Sequence, residues 1–207
     1  MPKEARPAPF LVGETPALDF LNTVATPRSI RFDWLDTGPS LLDWLVAAGL
    51  ATEAELRPLR TGGMQKELER TRREIAALRE TLRGFVERAS GAEMADAGEP
   101  IIPVLNGILA TGHHHFRIEV ADEAAAGRQG SFRLTAHQPL VRPADLIVRI
   151  ALAASRLVAE ADFRHVRKCE APACTLYFLD VSRNHRRRWC SMEVCGNRAK
   201  AAAFRKR

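Results

Sequence analysis

Along most of the first 160 residues or so, apolar residues recur every three or four positions, which places them on one face of a helix. Thr15 before Pro16 opens the first predicted helix, because Thr can accept a free amide and Pro lacks the donor that a first turn leaves unused. Leu18, Leu21, Val24 and Ala25 form its stripe. Ser40 to Leu50 predicts a second helix, with Ser40 and Asp43 in capping-box-like spacing and Gly49 at its end. Thr52 and Glu55 repeat the start signal for a short third helix, closed by Gly62 and Gly63. A long amphipathic helix then runs from Met64 to Ala89, carrying Leu68, Thr71, Ile75, Leu78, Leu82, Phe85 and Ala89 on one face and the spaced pairs Glu69–Arg73 and Arg83–Glu87 on the other. Its stripe reads as the core face of one domain. A coiled-coil homodimer is the competing reading, opposed by the short heptad run and by Gly84.

The pattern then changes. Pro103 to Ala110 predicts one more short helix, after which His115 to Val120 and Ser131 to Ala136 alternate with the period of two expected of a β-hairpin. The connecting segment, Ala121 to Gly130, is long for a tight turn and leaves the turn type open. Pro143 opens a last, nearly apolar helix through Leu146, Ile150, Ala154, Leu157 and Val158. The elements add up to an α+β chain, mostly α-helical, with a hairpin.

Charge divides the chain. From residue 164 to 207 there are twelve Lys and Arg against three acids, Glu170, Asp180 and Glu193, whereas residues 1–163 carry 19 basic and 22 acidic groups. A helical domain over 1–163, expected to fold without the finger, and a small basic module over 164–207 follow as the expected organisation. An excess of nine positive charges in 44 residues suits a phosphate backbone, with a solvated basic tail as the alternative. Neither a signal-peptide core near Phe10-Leu11-Val12 nor a run of some 20 apolar residues is present, so a cytoplasmic protein without a membrane partner is expected.

In a reducing compartment, clustered cysteines are better read as metal ligands than as disulfides. Cys169, Cys174, Cys190 and Cys195 fall in C-x4-C-x15-C-x4-C spacing, two close pairs that can each present two thiolates to one tetrahedral Zn²⁺. One structural zinc per chain is the expected cofactor, and four thiolates leave no open position for catalysis. The alternatives are buried free cysteines and an iron–sulfur cluster. The module's few large apolar residues cannot offset the ordering of some forty residues, so metal binding and folding should be coupled. Thr175 to Val181 predicts a strand, Ser182 to His185 a turn and Arg186 to Trp189 the returning strand, followed by an alanine-rich helix in treble-clef-like order. Arg183, Arg186, Arg187 and Arg188 on the hairpin, with Arg198, Lys200 and Arg205 on the helix, are the candidate phosphate contacts, although Arg188 also fits a structural place beside Trp189. His113, His114 and His115 cannot converge on one ion along an extended strand.

Cys195-Gly196-Asn197-Arg198, preceded by Arg187-Arg188-Trp189-Cys190-Ser191-Met192, resembles the CGNR zinc-finger family over Arg167 to Arg207. Upstream, Gly13-Glu14 and the run Ala17-Leu18-Asp19-Phe20-Leu21-Asn22-Thr23-Val24 resemble the start of the ABATE domain that precedes this finger. The resemblance implies a bacterial stress-induced transcription regulator whose finger binds DNA and whose larger domain senses a small-molecule effector. Asp19, Asn22 and Thr23 would share a polar face of the first helix and are the candidate effector contacts, with a solvated face as the alternative. An RNA- or protein-binding zinc adaptor is the rival function, since such modules serve many partners. An enzyme is not expected, because no phosphate loop, nucleophile motif or spaced His–carboxylate group is found.

Overall fold

The computed structural model describes residues 7–26, 31–92, 100–120 and 132–205. It is α+β and mostly helical. Helix α1 (Pro16–Leu21) is capped by the Thr15 hydroxyl, which accepts from Leu18 N at 3.2 Å. It is shorter than the stripe suggested. Val24 and Ala25 leave it to form β1 (Val24–Ala25), antiparallel to β2 (Phe32–Asp33), because the Asn22 side chain is bound to another strand and the Thr23 hydroxyl turns back to Phe20 O. Helix α2 (Gly38–Ala47) starts two residues early, since Thr37 rather than Ser40 is its cap and the Ser40 amide is the group being capped. Helix α3 (Glu53–Thr61) has the expected Thr52–Glu55 capping box.

Helix α4 (Gln65–Ala89) buries Leu68, Thr71, Ile75, Leu78, Leu82 and Phe85 as the spacing predicts. That stripe packs on α1, α2 and α3 of its own chain, so no seam is left for a coiled-coil homodimer. Its outer ion pairs include Arg70–Glu74 at a spacing of four, while Glu69 and Arg83 pair with Arg72 and Glu80 three residues away rather than with Arg73 and Glu87. Arg79 is buried on the same helix and grips both oxygens of Asp33 at 2.9 and 3.0 Å while donating to the Thr23 hydroxyl at 2.9 Å. Burial alone would raise the Asp33 pKa, but these bonds and the Arg79 charge hold it below the usual carboxylate value.

Helix α5 (Ile101–Leu109) leads into the hairpin of β3 (His115–Val120) and β4 (Phe132–His137), in register from His115↔His137 to Val120↔Phe132. The connecting segment falls outside the described residues. Helix α6 (Asp145–Glu160) then crosses α1, α4 and α5 as the centre of the core, its start fixed by Asp145, whose carboxylate accepts from the amides of Val141 and Arg142.

The core does not stop at residue 163. Phe163 stacks edge-on against Phe85 with ring centroids 5.1 Å apart, and the buried cluster continues through Val166, Leu176, Tyr177 and Phe178 to the four cysteines. The expectation that residues 1–163 fold by themselves therefore meets a shared apolar interior. A backbone bond at a tightly packed glycine crosses the junction. Leu179 N donates to Gly13 O at 3.0 Å, and Gly13 lies so close to α1 that a Cβ there would come within 2.7 Å of Leu18 Cβ and 2.8 Å of Asp19 N. No helix among the described residues is long and apolar enough to cross a membrane.

Candidate metal centre and basic surface

The C-terminal segment begins with β5 (Val166–Lys168), which pairs antiparallel with β6 (Tyr177–Leu179). The predicted strand at 175–181 is thus present in shortened form with a different partner. Arg186 to Trp189, expected to return as a strand, is irregular backbone. The reason lies in Asp180, a buried acid that accepts from Arg187 N at 2.8 Å and Ser182 N at 3.0 Å and draws the loop away from β6. Burial works against its charge, but these donors and the nearby His185 keep its pKa below the ordinary value.

Each cysteine sits where a turn presents it. Cys169 N donates to Leu176 O at 2.9 Å, extending the β5–β6 ladder by one bond, and Cys174 N closes the following turn on Ala171 O at 2.8 Å. On the other side, Ser191 caps a wide helical turn, Met192–Gly196, with Cys195 N and Gly196 N both donating to Ser191 O at 3.0 Å. Helix α7 (Asn197–Phe204) follows directly.

All four sulfurs are buried and lie within 4.8 Å of one another. The Cys174–Cys190 and Cys190–Cys195 separations are 3.8 and 3.5 Å, far from a disulfide bond. A tetrahedron with Zn–S bonds of about 2.3 Å has edges of about 3.8 Å, so the donor set fits Zn²⁺. Crowding alone sets the thiols against one another. Cys169 accepts hydrogen bonds from Cys174 and Cys190 and is held low, whereas those same contacts, with burial, push Cys174 and Cys190 up. A divalent cation at the centre would remove the conflict by stabilising every thiolate. Two donors already face the sulfurs: Cys190 N lies 3.4 Å from Cys169 Sγ, and Arg198 Nη2 lies 3.2 Å from Cys195 Sγ. Among the described residues these cysteines are the only cluster with metal-ligand character, and His113, His114 and His115 form none.

The candidate cations separate into two groups. Arg187 is half-buried, lies over the Phe178 ring at 4.3 Å, and donates to Cys190 O at 2.6 Å, Trp189 O at 3.1 Å and Val12 O at 3.3 Å while pairing with Glu14. It clasps the metal loop to the N-terminal segment and is withdrawn from the phosphate candidates. Arg198 is drawn toward the cysteine cluster, and Arg188 is exposed but shared between Glu170 at 2.6 Å and the Trp189 ring at 5.0 Å. Arg183, Arg186, Lys200 and Arg205 are exposed, and no partner is found for them among the described residues.

The effector candidates are corrected. Asn22 and Thr23 are buried, and all three residues are occupied by the protein itself. Asn22 Nδ2 donates to Tyr177 O at 2.8 Å and its Oδ1 accepts from Tyr177 N at 2.9 Å, so the side chain stands in for a strand beside β6. Asp19 accepts from Gly13 N at 2.8 Å, with burial raising its pKa. Asn22 and Thr23 are thus internal, and Asp19 is half-buried. A cleft of about 430 Å³ opens instead beside Glu14, Arg156, Leu157 and Leu179, between α1, α6 and β6. Sequence reasoning missed Asp180, Ser191 and Glu14, and the available signal was their place within or beside the motif residues.

A buried four-cysteine cluster on two turns, docked through a shared core onto a helical body, defines a protein of the zinc-finger class. The CGNR zinc-finger family matches residues 165–207, and the ABATE family, described as "Putative stress-induced transcription regulator", matches residues 14–161. The chain belongs to the ABATE family, with a CGNR zinc finger at its C-terminal end. No curated protein matches it.

Proposed function

We propose that the chain is a DNA-binding, stress-responsive transcription regulator without enzymatic activity. In this reading its finger, residues 164–207, is held by one structural zinc on Cys169, Cys174, Cys190 and Cys195, in a treble-clef-like order of knuckle, loop, knuckle and helix. Four thiolates fill the coordination shell, so the metal supplies cross-linking rather than chemistry. The carrying observation is the separation of the cations: Arg187 and Arg198 brace the finger, while Arg183, Arg186, Lys200 and Arg205 stay exposed on its surface. With the thiolates and metal counted, the segment from 164 to 207 keeps seven excess positive charges. The reading assigns effector binding to the cleft of about 430 Å³ that the body, residues 1–163, forms with Leu179 of β6, a size within the range of small-molecule sites.

Fluorescence anisotropy with duplex DNA, single-stranded RNA and a scrambled duplex at several salt concentrations tests the reading. An Arg183→Ala, Arg186→Ala double variant should bind every duplex more weakly, with a salt dependence flatter by about one log–log unit per lost contact. Unchanged affinity and slope in a variant that keeps its metal would remove the loop from the DNA surface. Tighter binding to RNA than to duplex would favour the adaptor.

A further inference from the structure

We propose that the apolar face of the β3–β4 hairpin joins two copies of this chain. In the register of this hairpin, Phe116, Ile118 and Val120 stand opposite Ala136, Leu134 and Phe132, so all six point to one side. The other side carries His115, Arg117, Glu119, Arg133, Thr135 and His137, with Glu119 and Arg133 paired across the strands at 3.5 Å. Such alternation specifies one wet face and one dry one.

The dry face has no cover among the described residues. Phe116, Ile118, Val120, Phe132 and Leu134 are between 69% and 73% exposed, and the strong contacts of β3 and β4 are with each other alone. Outside the described residues the sequence holds only Met1, Ile30 and Met94 as large apolar residues. A two-stranded hairpin with both faces in water is marginal, and six paired positions need a packed face to persist.

A second copy fits the requirement. Two Phe and three aliphatic side chains at this exposure present roughly 600 Å² of apolar surface, given about 150–250 Å² for one aromatic side chain. That is the upper end of what a monomer leaves open. Packing the two faces symmetrically would bury about 1,200 Å², where stable protein–protein interfaces begin. The patch is uncharged and therefore self-complementary, as a two-fold interface requires. The inference is independent of the nucleic-acid reading.

Sedimentation velocity of the full zinc-loaded chain across micromolar concentrations tests it. The wild type should sediment as a dimer. Ile118→Glu and Leu134→Glu, each placing a charge in the dry face, should weaken association by about 100-fold or more while leaving circular dichroism and zinc content unchanged. Phe116→Ser and Phe132→Ser should act in the same direction without adding charge, and Arg117→Glu on the wet face should remain dimeric. A wild type that stays monomeric throughout overturns the proposal, and so does a dimer that survives both Glu substitutions in a folded protein. A monomer that co-sediments with phosphatidylcholine vesicles overturns it in favour of a lipid surface.

Discussion

Replacing Asn22 with Ala removes the side chain that links the helical body to the finger. Two buried backbone groups of Tyr177, one donor and one acceptor, lose their partners at 2.9 and 2.8 Å, and neither can turn to water. At about 1–3 kcal/mol for each buried group left unpaired, the substitution should cost about 2–6 kcal/mol. For a chain of this size the melting temperature should fall by roughly 5 to 15 °C. Asn22→Asp sharpens the test, because a carboxylate can still accept from Tyr177 N but faces Tyr177 O with a negative charge. It should be destabilised at neutral pH and partly recover once the carboxyl group is protonated. Urea and thermal melts followed by circular dichroism, on protein with measured zinc content, give the answer. A loss below about 1 kcal/mol for Asn22→Ala, or an Asn22→Asp variant as stable as wild type at neutral pH, would refute the reasoning.

Arg187→Met should cost about 2–4 kcal/mol by freeing three carbonyls and Glu14, and should weaken zinc retention in chelator competition. Cys190→Ser or metal removal should unfold the segment from 164 onward and, through the shared core, lower the melting temperature of the whole chain, with elemental analysis reporting one zinc per folded chain. Asp33→Asn should be less stable than wild type at neutral pH by about 1–3 kcal/mol, because Asp33 has a depressed folded pKa. That contribution is fully present above the unfolded value of 3.8 and is lost as pH falls through the lower folded one, so melts of the two proteins should converge in acid.

The helices were readable because each buries one continuous stripe, and the Thr15 and Thr52 caps act within three residues of themselves. The cysteines were readable because ligand spacing is also local. What stayed hidden depends on distant partners. Asn22 and Thr23 look like a solvent-facing polar pair until Tyr177 and Arg79 arrive to bury them. Arg187 is indistinguishable in sequence from its neighbours Arg186 and Arg188, and only the positions of Phe178, Glu14 and Val12 withdraw it from the surface. Arg79, a charge on the margin of an apolar stripe, reads as solvated although Asp33 draws it inside. The return strand failed for a similar reason, since a turn at 182–185 could not reveal that Asp180 would take the Arg187 amide.

The bonds joining Gly13 to Leu179, Glu14 to Arg187 and Asn22 to Tyr177 tie early residues to ones made much later along the chain. A ribosome adding roughly 5 to 20 residues per second leaves Asn22 waiting roughly 8 to 30 s for Tyr177 to be synthesised. Throughout that interval α1 exists without the strand that completes it, and the apolar faces meant for β6 and the cysteine turns stand open. Closure must therefore come late, as a long-range event that waits for β6 and the cysteine turns to be made. A bulky fusion placed after Arg207 would leave this timetable intact, whereas slowing translation between α6 and β6 would lengthen the exposure and lower the yield of native protein.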